Sequence, residues 1–204
     1  MLKKEISRSQ AATRHISIVP VFYKLYETLV KIQLCDYFEQ NNIFTVNQHG
    51  FREGFSTTTA ISNLEKHILR AFEERTFSLS VFLDLSKAFD CVKHENLIEK
   101  LQYLGICNNE LNLIVSYLSN REQCVVLHGR VSDTKYVKYG VPQGSVLGPL
   151  LFLVAVNDLA CNLNFNTIMY ADDTTLFAVC KDYQRLDYVI KEMTQEAKEW
   201  FNAN

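Results

Sequence analysis

None of the six cysteines (Cys35, Cys91, Cys107, Cys124, Cys161 and Cys180) falls in a Cys-x-x-Cys pair, and they are widely scattered. This argues against a zinc site or a disulfide framework, and the thiols are expected to be reduced and mostly buried. No apolar run exceeds the stretch from Leu150 to Val156, far short of the ~18 residues a membrane span needs. The N-terminus lacks a signal-peptide pattern, so an intracellular protein, cytoplasmic or nuclear and without a membrane partner, is expected. Ser- or Pro-rich linkers and internal repeats are also missing. A global excess of positive charge is absent too: Lys and Arg number 21 against 23 Asp and Glu, a net charge of −2. That balance counts against nucleic-acid binding by overall attraction.

What is present is an ordinary globular composition, 48% hydrophobic and 12% aromatic over 204 residues, enough for one large domain or two small lobes. The charge is unevenly spread. Residues 1–35 carry Lys3, Lys4, Arg8, Arg14, Lys24 and Lys31 against Glu5 and Glu27, a local excess of four positive charges, and the remainder is acidic. A basic end facing an acidic middle suits an anionic substrate approaching a carboxylate-bound metal, although a solvated charged face is the commoner cause.

Apolar spacing predicts a helix over Val21–Phe38 with Phe22, Leu25, Leu29, Ile32 and Cys35 as its stripe. The Gln48–Phe55 segment reads as a glycine-containing loop, in which Arg52 is either a phosphate contact or a surface charge. Ser56 is placed to cap a second helix with the stripe Ala60, Ile61, Leu64, Ile68 and Phe72. From Ser78 to Leu85 the period shifts to two, which puts Val81, Leu83 and Leu85 on one face and Phe82 and Asp84 on the other. An aspartate within an apolar strand requires a partner, either a lysine or a metal. Helices are expected to carry Leu97–Leu104, ended by Gly105, and Leu111–Leu118. Paired strands follow around His128-Gly129-Arg130.

Three glycines and two prolines between Gly140 and Pro149 make a loop, with Pro149 opening a helix over Leu150–Leu159. In Asn164–Val179 two β-branched and aromatic runs flank Asp172-Asp173, a β-hairpin with both acids at or beside its turn. Two carboxylates ~4 Å apart at an effective dielectric of ~20 repel by about 4 kcal/mol, so a cation is the natural companion. A solvated turn is the plain alternative. A last helix runs from about Gln184 to Phe201. The chain stops at Asn202-Ala203-Asn204 without a closing element, and a fragment of a longer polypeptide is expected. The pattern as a whole is α+β.

Asp84 and Asp172-Asp173 together provide the hard oxygen ligands that two-metal phosphoryl transfer needs. Three stretches then carry a family resemblance: Phe82-Leu83-Asp84-Leu85-Ser86-Lys87-Ala88-Phe89-Asp90, Gly140–Phe152 (with Pro142-Gln143-Gly144), and Tyr170-Ala171-Asp172-Asp173. In order and spacing they resemble successive motifs of reverse transcriptases, in the wording of non-LTR (LINE-type, jockey-like) retrotransposons. Phe51-Arg52-x-Gly54-x-Ser56-Thr57-Thr58 and Asn157-Asp158-Leu159 are similar to that group's signatures. Arg14-His15-Ile16-Ser17 departs from its usual Arg-Pro-Ile-Ser. The resemblance covers about Arg14 to Asn202.

That resemblance implies a right-hand polymerase with fingers (about residues 1–77) and an antiparallel palm sheet with packed helices (mainly 78–204), the thumb being absent. It implies an RNA-directed DNA polymerase acting on an RNA template, a DNA primer and a dNTP. Asp84, Asp172 and Asp173, with the Leu85 carbonyl, stand at the positions for two Mg²⁺ ions, for which Mn²⁺ could substitute. The amides of Lys87 and Ala88 fall where the triphosphate is received. Phe89 falls at the aromatic position that excludes a ribose 2′-hydroxyl, and Gln143 and Gly144 where nucleotide and template pack. Arg14 and Arg52 fall among nucleic-acid or phosphate contacts. The thumb and endonuclease regions of a longer polyprotein are the remaining expected partners. The rival readings are a degenerate retroelement remnant that at most binds RNA and, more weakly, a two-metal phosphodiesterase.

Overall fold

The computed structural model describes residues 20–85, 87–127 and 129–204, and Arg14 lies outside them. Its elements follow the expected order. Helices α1 (Val21–Gln40) and α2 (Thr57–Glu73) lead into strand β1 (Phe77–Leu83). The short helix α3 (Ala88–Cys91) then precedes α4 (His94–Tyr103) and α5 (Asn108–Leu118). Four two-residue strands follow: β2 (Glu122–Gln123), β3 (Val126–Leu127), β4 (Arg130–Val131) and β5 (Lys135–Tyr136). Helices α6 (Gly148–Val156) and α7 (Leu159–Asn162), the hairpin β6 (Asn166–Tyr170) and β7 (Asp173–Cys180), and helix α8 (Leu186–Ala203) complete the chain.

The central sheet is antiparallel with order β1-β7-β6. Its register runs from Phe77 opposite Cys180 to Leu83 opposite Thr174 on one side of β7, and from Asn166 opposite Phe177 to Tyr170 opposite Asp173 on the other. Period-two alternation then sends neighbouring residues of one strand to opposite faces. Ile168 and Phe177 pack against Ala60 and Leu64 of α2. Met169 and Leu176 join the larger core with α6 and with Met193, Ala197 and Trp200 of α8. The β2–β5 and β3–β4 pairs form a small arm away from this sheet.

Helix α6 is apolar all round, as a helix buried on every side must be, and Leu150, Leu151, Phe152, Leu153, Val154 and Val156 are all buried. Each such side chain contributes about 2 kcal/mol of transfer free energy. Pro149 lies in its first turn, where a missing N–H costs nothing. The helix ends at Val156, and Leu159 begins a separate turn, so the expected Leu150–Leu159 helix is two pieces. Ser56 caps α2 as expected: its side chain accepts from Thr59 N–H while the Thr59 hydroxyl accepts from Ser56 N–H.

The expected stripe of α1 faces outward except at the half-buried Cys35, and that of α2 holds only at Ala60 and Leu64. In α1, Phe22 is 86% exposed and Leu25, Leu29 and Ile32 are exposed, while the buried positions are Glu27, Leu34 and Phe38. In α2, Ile61, Ile68 and Phe72 are exposed, and Ala60 and Ala71 are buried. Small residues face the sheet there because the helix lies close on β1 and β6. The cysteines are free, but Cys91, Cys107, Cys124 and Cys161 are exposed, contrary to the expectation of burial. Among the described residues no helix is long and apolar enough to cross a membrane.

Candidate active site

Strand β1 ends at Leu83, opposite Thr174. One further step of the same register brings Asp84 level with Asp173, the first residue of β7. Tyr170 faces Asp173 across the hairpin, which leaves Ala171 and Asp172 as its turn. The two carboxylate motifs, 88 positions apart in the chain, therefore meet at the same end of neighbouring strands. Asp84 lies past the end of its strand and is exposed, as is Asp173, while Asp172 is half-buried. Exposure removes the need for a compensating lysine that a buried Asp84 would have had. No ion pair reaches any of the three among the described residues.

The turn is held from outside the hairpin. Ala171 is buried and takes φ of 57°, a left-handed conformation that costs a residue with a Cβ about 1 kcal/mol or more. Residues 47–49 run alongside β6: Met169 N–H donates to Asn47 O at 2.8 Å and His49 N–H to Met169 O at 2.7 Å. The Gln48 side chain, 1% exposed, accepts from Ala171 N–H at 3.0 Å and Gly50 N–H at 2.8 Å, and donates to Ala171 O at 3.3 Å. A Cβ on Gly50 would come within 2.2 Å of the Ala171 nitrogen, so only glycine fits this approach. His49 is buried beside it, its Nδ1 2.8 Å from Thr59 Oγ1 and its Nε2 without a partner. Burial, reinforced by the nearby Arg52 charge, holds its pKa below the ordinary 6.5.

The Gly140–Val146 loop is strapped to α3 and the residue after it. Gly140 N–H donates to Val92 O at 2.7 Å, Val141 N–H to Phe89 O at 2.8 Å, and Gln143 Nε2 to Asp90 Oδ1 at 2.8 Å. Gly140 adopts φ of 85°, and a Cβ there would lie 2.8 Å from Asp90 Cα. Gly144 is exposed with φ of 90°. Phe89 is half-buried, stacked on Phe152 at 4.3 Å between centroids and edge-on to Phe51 at 6.3 Å. Lys87, exposed, precedes α3 with φ of 61°, and Ala88 N–H donates to Leu85 O at 3.3 Å. Lys87, Ala88, Phe89, Gln143 and Gly144, the five residues expected at a nucleotide site, thus lie on two adjoining segments.

Arg52 behaves differently. Its side chain is 7% exposed, donates to both carboxylate oxygens of Glu39 and to the carbonyls of Thr45 and Gln48, and lies over the Phe55 ring at 4.4 Å. It is no surface charge, and its donors point into the protein. Nor does the mainly apolar pocket of about 360 Å³ bordered by Asp84, Leu85, Ala88, Phe152 and Trp200 suit a triphosphate.

Comparison with known proteins decides the family. Residues 2–203 match the family described as "Reverse transcriptase (RNA-dependent DNA polymerase)". This chain belongs to the reverse transcriptase family. It is 36% identical over 182 residues to "Probable RNA-directed DNA polymerase from transposon BS" of Drosophila melanogaster, covering 82% of this chain and 19% of that protein. It is 29% identical over 196 residues to "RNA-directed DNA polymerase from mobile element jockey" of the same fly, covering 92% of this chain and 21% of that protein. The reverse transcriptase chain thus spans about a fifth of the length of these relatives. Apo telomerase from Candida tropicalis shares the fold, with a TM-score of 0.56 at 13% identity over 81% of this chain and 35% of that one. The resemblance to jockey-like, non-LTR retrotransposon enzymes holds, and relatives named as polymerases do not favour the inactive-remnant alternative.

Reverse transcriptases use divalent metal ions. Among the described residues no group of three or more His, Cys, Asp or Glu side chains is gathered closely enough to hold one. The donor set nevertheless fits a hard cation: Asp84, Asp172 and Asp173 supply only carboxylate oxygens, and among the described residues no ion pair competes for them. Mg²⁺ keeps several waters and binds substrate phosphates, so it does not need a closed protein cage.

Proposed function

We propose that this chain is the catalytic core of an RNA-directed DNA polymerase, extending a DNA primer on an RNA template with dNTPs. The supporting observation is the register that sets Asp84 beside Asp173 at one end of β1 and β7, with Asp172 in the adjoining turn. In this reading residues up to about 77 act as fingers and 78–204 mainly as palm. Asp84, Asp172, Asp173 and the Leu85 carbonyl would hold two Mg²⁺ ions, or Mn²⁺ in their place. Bound there, such ions supply an activated primer 3′-hydroxyl and neutralise the charge on the departing pyrophosphate.

The chain's own residues do the positioning. The Lys87 and Ala88 amides receive phosphate oxygens, Ala88 exchanging its 3.3 Å bond to Leu85 O for the phosphate, with the positive φ at Lys87 turning the backbone ahead of α3. Phe89, fixed by two neighbouring rings, is a rigid wall against a ribose 2′-hydroxyl. Gln143 is oriented by its bond to Asp90, and the exposed Gly144 lets nucleotide and template approach the backbone. The primer oxygen bonds to the α-phosphorus as the bond to pyrophosphate breaks, and the hydroxyl proton leaves to solvent. A cytoplasmic or nuclear location, and attachment to the further regions of a longer polyprotein, go with this activity.

Asp172→Asn should abolish Mg²⁺-dependent incorporation on a primed RNA template while leaving the thermal transition in place. Retained incorporation by that variant rejects the assignment. Loss of labelled nucleic acid without added dNTP would instead favour a phosphodiesterase.

A further inference from the structure

We propose that Gln48 is a positioning residue of the polymerase site, its side-chain amide setting the direction in which Asp172 and Asp173 leave their turn. The inference rests on the polymerase reading above for its catalytic consequence, and on geometry alone for the hold itself.

Both main-chain groups of Ala171 are bonded by this one side chain, its N–H to Gln48 Oε1 at 3.0 Å and its C=O to Gln48 Nε2 at 3.3 Å. A carboxamide carries one acceptor and two donors on a planar group, so it can mimic a neighbouring peptide strand. A glutamate keeps the acceptor and loses the donors when ionised; an aliphatic side chain offers neither. Gln48 and Ala171 are both buried, so water does not replace lost bonds. The same Oε1 also accepts from Gly50 N–H at 2.8 Å, and the parallel bridge from Gln48 to Met169 fixes the register from which the amide reaches. Gly50, bare of a side chain, closes the gap against the Ala171 nitrogen.

The consequence is selective. Asp172 and Asp173 lie on β6–β7, directly after Ala171, whereas Asp84 follows β1, to which the Gln48 side chain makes no hydrogen bond among the described residues. Losing the amide frees one side of the carboxylate set relative to the other. The Gln143–Gly144 loop is tied to α3 by separate bonds and is untouched. Gln48 therefore acts on the chemical step rather than on nucleotide affinity.

The full chain is compared with Gln48→Ala, Gln48→Glu and Gly50→Ala, with two readouts. The first is amide hydrogen exchange across residues 168–175 without added metal. The second is kcat and KM for dNTP on a primed RNA template. Gln48→Ala should speed exchange at Ala171 by about tenfold or more, with β1 and α8 still protected. Its kcat should fall by between about ten- and a hundredfold, with KM for dNTP within about twofold of the parent. Gln48→Glu should restore protection at Ala171 and part of kcat, and Gly50→Ala should reproduce the Gln48→Ala signature by pushing the turn away.

Unchanged exchange at Ala171 in folded Gln48→Ala overturns the proposal, and so does a kcat equal to the parent's. Should Gln48→Ala lose protection everywhere, Gln48→Glu and Gly50→Ala decide by the same two readouts. A parent chain that incorporates no nucleotide counts against the polymerase reading, while exchange at Ala171 still decides whether Gln48 holds the turn.

Discussion

The carboxylate of Glu27, 1% exposed in helix α1, accepts the backbone N–H of Val146 at 2.6 Å, linking positions 119 residues apart. Its other oxygen accepts from the Tyr117 hydroxyl at 2.9 Å, and the Tyr117 pKa is raised, chiefly by burial. Through Val146 this acid anchors the segment that follows Gln143-Gly144, where Ser145 Oγ donates to Pro142 O at 2.8 Å and accepts from Gly148 N–H at 2.9 Å. A buried charge held by two donors is costly to leave half-satisfied.

Glu27→Ala should therefore destabilise the chain by about 2 kcal/mol, because it takes the acceptor from a half-buried N–H and a half-buried hydroxyl. Glu27→Gln should cost only about 1 kcal/mol. Val146 N–H can only donate, so the amide oxygen must face it, and the Tyr117 hydroxyl can rotate to accept from the amide nitrogen. Chemical denaturation of the three proteins checks the order. Equal losses for Ala and Gln would show that the carboxylate is not an acceptor for Val146.

Acid should weaken the fold through His49. Its folded pKa lies below 6.5 because the ring is buried and the Arg52 charge is nearby. The unfolded chain therefore takes up a proton as pH falls through about 6.5, while the folded chain does not. Stability should be constant above about pH 7.5 and fall below 6.5, with a slope of at most about 1.4 kcal/mol per pH unit from this residue, until the folded pKa is reached. His49→Gln should lessen the dependence in that window. Denaturation midpoints at a series of pH values measure it, and an identical pH profile in the variant would assign the effect elsewhere.

Which features could be read from the chain alone follows from the range of the interactions. The Asp172-Asp173 hairpin, the Ser56 cap and the last helix itself rest on neighbours within a few residues, and all were legible. Parity placed Phe82 and Asp84 on one face of β1, and both are exposed. The buried face of α1 was not legible. Phe22, Leu25, Leu29 and Ile32 match helical spacing as well as Leu34 and Phe38 do, and the choice is made by Glu27, whose partners lie in α5 and beyond Gly144. Gln48 escaped for the same reason: its partner is 123 residues away, and an amide in a glycine loop carries no periodic signal. The Gln-x-Gly spacing beside an otherwise unremarkable loop was the one available hint.

Phe89 joins stability to selectivity. Its ring is stacked on Phe152 at an interplanar angle of 22° and meets Phe51 at 83°. Phe89→Ala should lose about 2 kcal/mol of stability, less than a fully buried phenylalanine because one side is open. On the polymerase reading it should also raise incorporation of rNTP relative to dNTP, measured by competition on one template. Unchanged selectivity in a folded variant would leave Phe89 a packing residue only.

Arg52 provides the sharpest contrast between a structural and a nucleic-acid role. All of its recorded bonds are internal, to Glu39, Thr45 and Gln48, with Phe44 and Phe55 flanking the guanidinium at 5.4 and 4.4 Å. A lysine cannot bridge two carboxylate oxygens and two carbonyls with one ammonium. Arg52→Lys should therefore lose about 2 kcal/mol of stability, most of it from the sheltered carbonyl bonds because Glu39 is 44% exposed. For nucleic-acid binding the expectation is opposite. A lost phosphate contact would reduce the slope of log affinity against log salt by about 0.7 to 0.9. Arg52→Gln, measured on a primed RNA template across a salt series at a temperature where it is folded, should leave that slope unchanged. A reduced slope would mean that Arg52 breaks its internal bonds to meet the phosphate backbone.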